Sequence, residues 1–162
     1  MLKKLSKPYA WDKCMMEMAL TISKMSKDTN TKTGAILVSP DKSTISIGYN
    51  GFPVLVPDYE EWWENRDDEN ITFIKYDLIN HAEENAISQA KQPVKDWTLY
   101  VTHYPCLRCA RRIVTEQLAK VYYHYDRSHL LMKANNKDLM QPEKVQSLFA
   151  IAGIKIEHLS LK

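Results

Sequence analysis

The chain has only three cysteines, Cys14, Cys106 and Cys109, among 162 residues. That is too few for a disulfide framework, and it leads us to expect a reducing compartment, the cytoplasm. It also lacks a surplus of either charge. Lys and Arg number 22 against 20 Asp and Glu, a formal net charge of +2. A duplex-binding face or a polynucleotide channel needs a basic groove, and this balance argues against one. A small anionic ligand remains open, because it needs only a local cluster of donors. No apolar run approaches the roughly 20 residues needed to cross a bilayer, so no membrane role is expected. The first residues, MLKKLSKPYAWDK, are basic but have no long apolar core behind them, so no secretory signal is expected. No internal repeat, low-complexity tract or linker divides the chain. What is present suits one soluble domain over residues 1–162, with 44% hydrophobic and 26% charged residues and enough length to bury a core.

Periodicity supplies the elements. Tyr9 to Met25 reads as a helix, with Trp11, Cys14, Met15, Met18, Leu20, Ile22 and Met25 crowding one broad face. GAILVS and TISIGY, separated by Pro40-Asp41-Lys42, read as a hairpin. No pattern persists from Asn50 to Asn80, a stretch that holds the acidic and aromatic run EEWWENRDDEN. A loop of that length in a small domain is usually functional or a lid. HAEENAISQA reads as a helix with Ala82, Ala86 and Ala90 on one side. WTLYVT and KVYYHY are strands, with a helix through CARRIVTEQLA between them. PEKVQSLFAIAG is a helix started by Pro142 and stopped by Gly153, and IKIEHL is a last strand. The segment DRSHLLMKANNKDLMQ is polar and gives no clear pattern. Strands linked by helical crossovers predict an α/β fold, a three-layer α/β/α sandwich around a mixed sheet.

The chemistry lies in His81-Ala82-Glu83 and Pro105-Cys106-Leu107-Arg108-Cys109. His81, Cys106 and Cys109 offer three ligands for Zn²⁺. Three protein ligands leave the fourth tetrahedral position to water, which is the arrangement of a catalytic zinc. Each motif lies at the start of a helix, where the positive end of the helix dipole favours thiolate over thiol. Glu83 stays free to carry protons. A redox pair and a structural zinc are the alternatives. The structural site would need a fourth ligand, for which Cys14 is the spare thiol. Glu84 is the alternative proton carrier. The pattern H-x-E followed by P-C-x-x-C is the signature of zinc-dependent nucleobase deaminases, so the class is identified by resemblance.

Four stretches sharpen that resemblance. SKDTNTKTGA (Ser26–Ala35), IGYNGFP (Ile47–Pro53), KYDLINHAEENAI (Lys75–Ile87) and LYVTHYPCLRCARRI (Leu99–Ile113) are similar to segments of deoxycytidylate (dCMP) deaminases. The similarity runs from the first helix to about Tyr125. It implies a cytidine deaminase-like fold and zinc-dependent hydrolysis of dCMP to dUMP and ammonia, which supplies dUMP for thymidylate synthesis. It implies that Asn50 touches the nucleotide; the residue alone also reads as a turn asparagine before Gly51. It implies that Ala82 lines the base pocket. Tyr104 could stack on the pyrimidine, and Tyr125 lies over the pocket mouth in the family's manner. Half-buried packing is the other reading of both tyrosines. Asn85 either caps or braces the site. Ser26, Lys27, Asn30 and Thr31 form a donor-rich loop that reads as a phosphate site or as a polar helix-to-strand connection. The family further implies a homo-oligomer, often a hexamer, and regulation by dCTP and dTTP with Mg²⁺. Many relatives follow GYNGFP with Arg-Gly. Here Pro53-Val54-Leu55-Val56 is apolar, and the departure removes a bidentate phosphate partner. Other members of the superfamily act on free cytidine or deoxycytidine, on tRNA adenosine or on single strands. A silent zinc scaffold would have no need of Glu83.

Overall fold

Methionine and alanine at helical spacing bury the first helix against a sheet whose strands are apolar on both faces. The computed structural model describes residues 10–126 and 141–162. Its elements, in chain order, are α1 (Trp11–Ser23), β1 (Gly34–Val38), β2 (Ile45–Tyr49), α2 (Glu60–Glu64), α3 (Lys75–Leu78), α4 (Ala82–Gln89), β3 (Thr98–His103), α5 (Leu107–Thr115), β4 (Lys120–Tyr125), α6 (Pro142–Ala152) and β5 (Lys155–His158). The five strands form one sheet in the order β2-β1-β3-β4-β5. β1 is antiparallel to β2 and β3, whereas β3, β4 and β5 run parallel. This is the expected mixed sheet between helical layers.

β1 shows why both faces are covered, since every one of its residues is buried. Successive side chains alternate across the sheet. Ile36 and Val38 pack with Met15, Met16 and Ala19 of α1 and with Tyr100. Ala35 and Leu37 join the larger core with Ala82, Ala86, Ile113, Val145 and Phe149 from α4, α5 and α6. Burying a side chain such as Leu37 or Phe149 is worth about 1.5–3 kcal/mol. Two glycines set how close the layers come. A Cβ on Gly34 would lie 2.0 Å from the Ala19 carbonyl oxygen, and one on Gly48 would lie 2.2 Å from the Ala82 carbonyl oxygen. Only glycine lets α1 and α4 sit this near the sheet, and α4 carries the front of the first motif.

The elements differ from expectation in three places. Met25 is 61% exposed, not part of the core face, because α1 ends at Ser23 and the chain turns away. α5 stops at Thr115 rather than continuing to Ala119. Gln117 takes a left-handed φ of 58°, which turns Leu118 into the core. The patternless stretch from Asn50 to Asn80 contains two short helices and an aromatic cluster of its own. Phe52 stacks on Trp63 at 4.0 Å, and Trp62 meets Tyr59 and Phe73 edge-on. Buried Asn65 ties that stretch together, accepting from the Asp67 and Asp68 amides and donating to the Asp68 and Phe73 carbonyls. Nearly all of DRSHLLMKANNKDLMQ lies outside the described residues. Pro142 and Gly153 bound α6 as read, with Gly153 in the left-handed region at φ 72°. Among the described residues no helix is long and apolar enough to cross a membrane.

Candidate metal centre

His81 and Cys106 are the residues that cap α4 and α5, not their first helical residues. Both have extended backbone, His81 at φ −78°, ψ 157° and Cys106 at φ −76°, ψ 168°. At a cap the side chain can turn back over the exposed amides of the first turn. The Cys106 sulfur does so, accepting from the Cys109 amide at 3.5 Å. Pro105 precedes this cap and spends no donor there.

The two caps bring the ligand atoms together. His81 Nδ1 lies 3.4 Å from Cys106 Sγ and 3.3 Å from Cys109 Sγ. All three ligand atoms lie within 4.8 Å of one another. Tetrahedral bonds of ordinary zinc–sulfur and zinc–nitrogen length would set sulfur and nitrogen about 3.6 Å apart, so the residues fit zinc. The three cysteines are free of disulfides. Cys14 packs with the α1 cluster and is not in the group, so among the described residues no fourth protein ligand completes a structural site.

The electrostatics suit a cation. The Cys106 thiol falls to about 4, first through its hydrogen bond with Cys109 and then through His81. Cys109 is pushed up by the hydrogen bond to Cys106 and by burial. Burial opposes the His81 cation, but Cys106, Glu83 and Glu84 outweigh it and raise His81 to about 9. The pattern is one thiolate–imidazolium pair with a neighbouring thiol, a negative nest once its protons leave.

Glu83 and Glu84 separate cleanly. Glu83 is 4% exposed, and burial raises its carboxyl to about 7, with the His81 cation pulling the other way. A carboxyl poised near neutrality can both take and give a proton. Glu84 is engaged elsewhere. Its Oε2 accepts from the His81 amide at 3.0 Å, and Arg108 donates to both carboxylate oxygens at 2.7 and 3.0 Å.

The residues expected to meet the nucleotide have partners within the protein. Asn50 is buried, and its amide is committed to protein. Its Oδ1 accepts from the Thr33 amide at 2.8 Å, and its Nδ2 donates to Asp28 Oδ2 and to the Thr31 carbonyl. The 26–31 loop has internal partners of its own. The amides of Asn30 and Thr31 donate inward to Asp28 Oδ1, Ser26 Oγ accepts from the Asp28 amide, and Lys27 pairs with Asp58. The buried Asp28 carboxylate thus takes two backbone amides of the loop, while Lys27 and Asn30 stay exposed. Tyr104 packs edge-on to Tyr123 and against the core, its hydroxyl 3.4 Å from the Pro142 carbonyl, and burial raises it to about 12. Tyr104 is thus half-buried against the core. Tyr125 is 47% exposed and lies against His103. The Ala82 side chain is wholly enclosed in the core. Asn85 braces β2 by donating to the Tyr49 carbonyl.

Asp28, Lys75, Thr33, His103 and Arg108 are the contributors that the sequence reading did not single out. Buried Asp28 and Lys75 form an ion pair. Thr33 Oγ1 and Thr102 Oγ1 both contact His103 Nδ1, at 3.1 and 3.0 Å. The available signal was position: each lies in or beside one of the four family-like stretches.

Comparison with known proteins decides the class. Residues 9–125 match the model of the cytidine and deoxycytidylate deaminase zinc-binding region. The chain belongs to this family. It is 37% identical over 125 residues to a probable deoxycytidylate deaminase of Caenorhabditis elegans, covering 76% of this chain and 62% of that protein's length. It is 32% identical over 145 residues to the deoxycytidylate deaminase of Homo sapiens, covering 89% of this chain and 76% of the relative. The fold matches the dCMP deaminase of cyanophage S-TIM5 with a TM-score of 0.65 at 23% identity, covering 91% of this chain and 96% of that one. Family membership makes the His-Cys-Cys cluster a zinc-binding region.

Proposed function

We propose that the chain hydrolyses dCMP to dUMP and ammonia, with zinc held by His81, Cys106 and Cys109 and with Glu83 as the catalytic proton carrier. The observation that carries this reading is the convergence of the three ligand atoms beside a buried carboxyl raised to about 7. When bound, zinc supplies the Lewis acidity that makes a water acidic near pH 7. Glu83 removes a proton from the attacking water and delivers it to the ring nitrogen next to C4. It then carries the second proton to the departing amine. The water oxygen ends on C4, the C4–N bond breaks, and one water is consumed per ammonia released.

The choice of dCMP rests on the relatives, several of which bear the name deoxycytidylate deaminase. Asn50 acts by position, holding the start of β1 and the 26–31 loop in place beside the nucleotide. The Ala82 backbone and the rings of Tyr104 and Tyr125 form the rest of its surround. Zinc is the resident cofactor. Mg²⁺ enters only with a triphosphate effector, and the apolar Val54 and Leu55, 93% and 95% exposed, replace the arginine that would favour dCTP or dTTP. A homo-oligomer in the cytoplasm fits the exposed Ile45, Ile47 and Tyr49 along edge strand β2, a surface suited to a second copy.

Ammonia release with dCMP, dCTP, deoxycytidine and a short cytosine oligonucleotide tests the assignment. The expected result is turnover of dCMP well above the others. Equal specificity constants for dCMP and deoxycytidine would overturn the monophosphate assignment.

A further inference from the structure

The two halves of the metal centre lie on separate helices, with His81 and Cys106 25 positions apart. Something must hold α4 and α5 in register, because an error of one ångström at a ligand is a large fraction of a bond. Arg108 stands between the two cysteines in the first turn of α5. It donates two hydrogen bonds, from Nε and Nη2, to the two oxygens of Glu84 in the first turn of α4. Glu84 Oε2 also accepts from the backbone amide of His81. One carboxylate therefore fixes the histidine's backbone and the helix that presents the thiols. Forked Arg–carboxylate pairs are directional as well as strong.

We propose that the Glu84–Arg108 clamp is a positioning device for the metal centre, holding His81 in register with Cys106 and Cys109 and thereby slowing zinc release. The proposal rests on the zinc reading above. Arg108 is 40% and Glu84 21% exposed, so the pair adds little to global stability. Its effect falls on the metal. Outer-shell partners of metal ligands typically alter metal affinity by roughly 10–100-fold.

The test uses the full chain loaded with zinc. It measures zinc stoichiometry, the rate of zinc transfer to an excess of a chromophoric chelator, and the Tm of the metal-free protein. Wild type holds one zinc per chain. Arg108→Ala releases zinc at least ~10-fold faster with metal-free Tm unchanged. Arg108→Lys keeps the charge, loses the fork and falls between the two. Glu84→Gln keeps an acceptor for the His81 amide but weakens the pair, and adding it to Arg108→Ala brings no further acceleration. Wild-type release from Arg108→Ala overturns the clamp. So does faster release that merely tracks a fall in metal-free Tm, since that is a structural role. A wild-type chain that takes up no zinc would instead overturn the metal reading itself.

Discussion

At the metal centre, three ligand atoms come from two short motifs, each set at the cap of a helix. Around Asp28, by contrast, the partners come from the 26–31 loop, the end of β2 and the start of α3. Asp28 Oδ1 accepts from the Asn30 and Thr31 amides, while Oδ2 takes the Asn50 amide and the Lys75 ammonium. The first cluster is local within each half, and a ligand is lost or kept as a unit. The second is a buried charge network, in which removing one member strands the others. Metal content should therefore respond to the first cluster and folding stability to the second.

The sharpest break is at the ligands. His81→Ala, Cys106→Ala and Cys109→Ala each should abolish zinc retention and turnover, whereas Cys14→Ala should keep both. Zinc quantification after dialysis checks this, and loss of metal on changing Cys14 would revive a four-ligand site. Glu83→Gln comes next, expected to hold zinc and lose about 10²–10⁴-fold in kcat. Metal content and rate measured on one sample decide it; near-native activity with zinc bound would remove Glu83 from the proton path.

On the other side of the comparison, Lys75→Met should cost about 3–5 kcal/mol of stability, because it leaves Asp28 buried without its cation. Zinc stoichiometry of the folded fraction should not change. The double change Asp28→Asn with Lys75→Met removes both charges and should recover much of the loss, as urea melts of the wild type and both variants would show. The smallest effect is expected from Asn50→Ala. It removes the acceptor for the Thr33 amide and the donors to Asp28 and Thr31, and should lower kcat/KM for dCMP by the equivalent of about 1–3 kcal/mol with zinc unchanged. Steady-state kinetics check it, and an unchanged specificity constant would separate Asn50 from the nucleotide.

The same contrast explains what could be read before folding was considered. His81, Glu83, Cys106 and Cys109 were legible because H-x-E and P-C-x-x-C resemble the signature of the zinc-dependent deaminases. The strands and longer helices were legible from periodicity, as β1 and α6 show. The 50–80 stretch was not, because Phe52, Trp62, Trp63 and Phe73 meet through ring contacts that follow no period. The partners inside the 26–31 loop were not read from the sequence either. Asp28 takes the Asn30 and Thr31 amides within the loop, but its burial and its partners Asn50 and Lys75 come from distant segments.

The sequence by itself displayed the two short motifs, His81-Ala82-Glu83 and Pro105 to Cys109, and the alternation that makes a two-faced sheet, since each depends on neighbours a few residues apart. Only the tertiary structure set Glu83 and Glu84 apart, by burying one and giving the other to Arg108. Only the tertiary structure committed Asn50 to Thr33, Thr31 and Asp28 and paired Asp28 with Lys75. The physical reason is burial. A polar group removed from water must take whatever partner the packed chain places beside it, and that partner is set by contacts between distant segments.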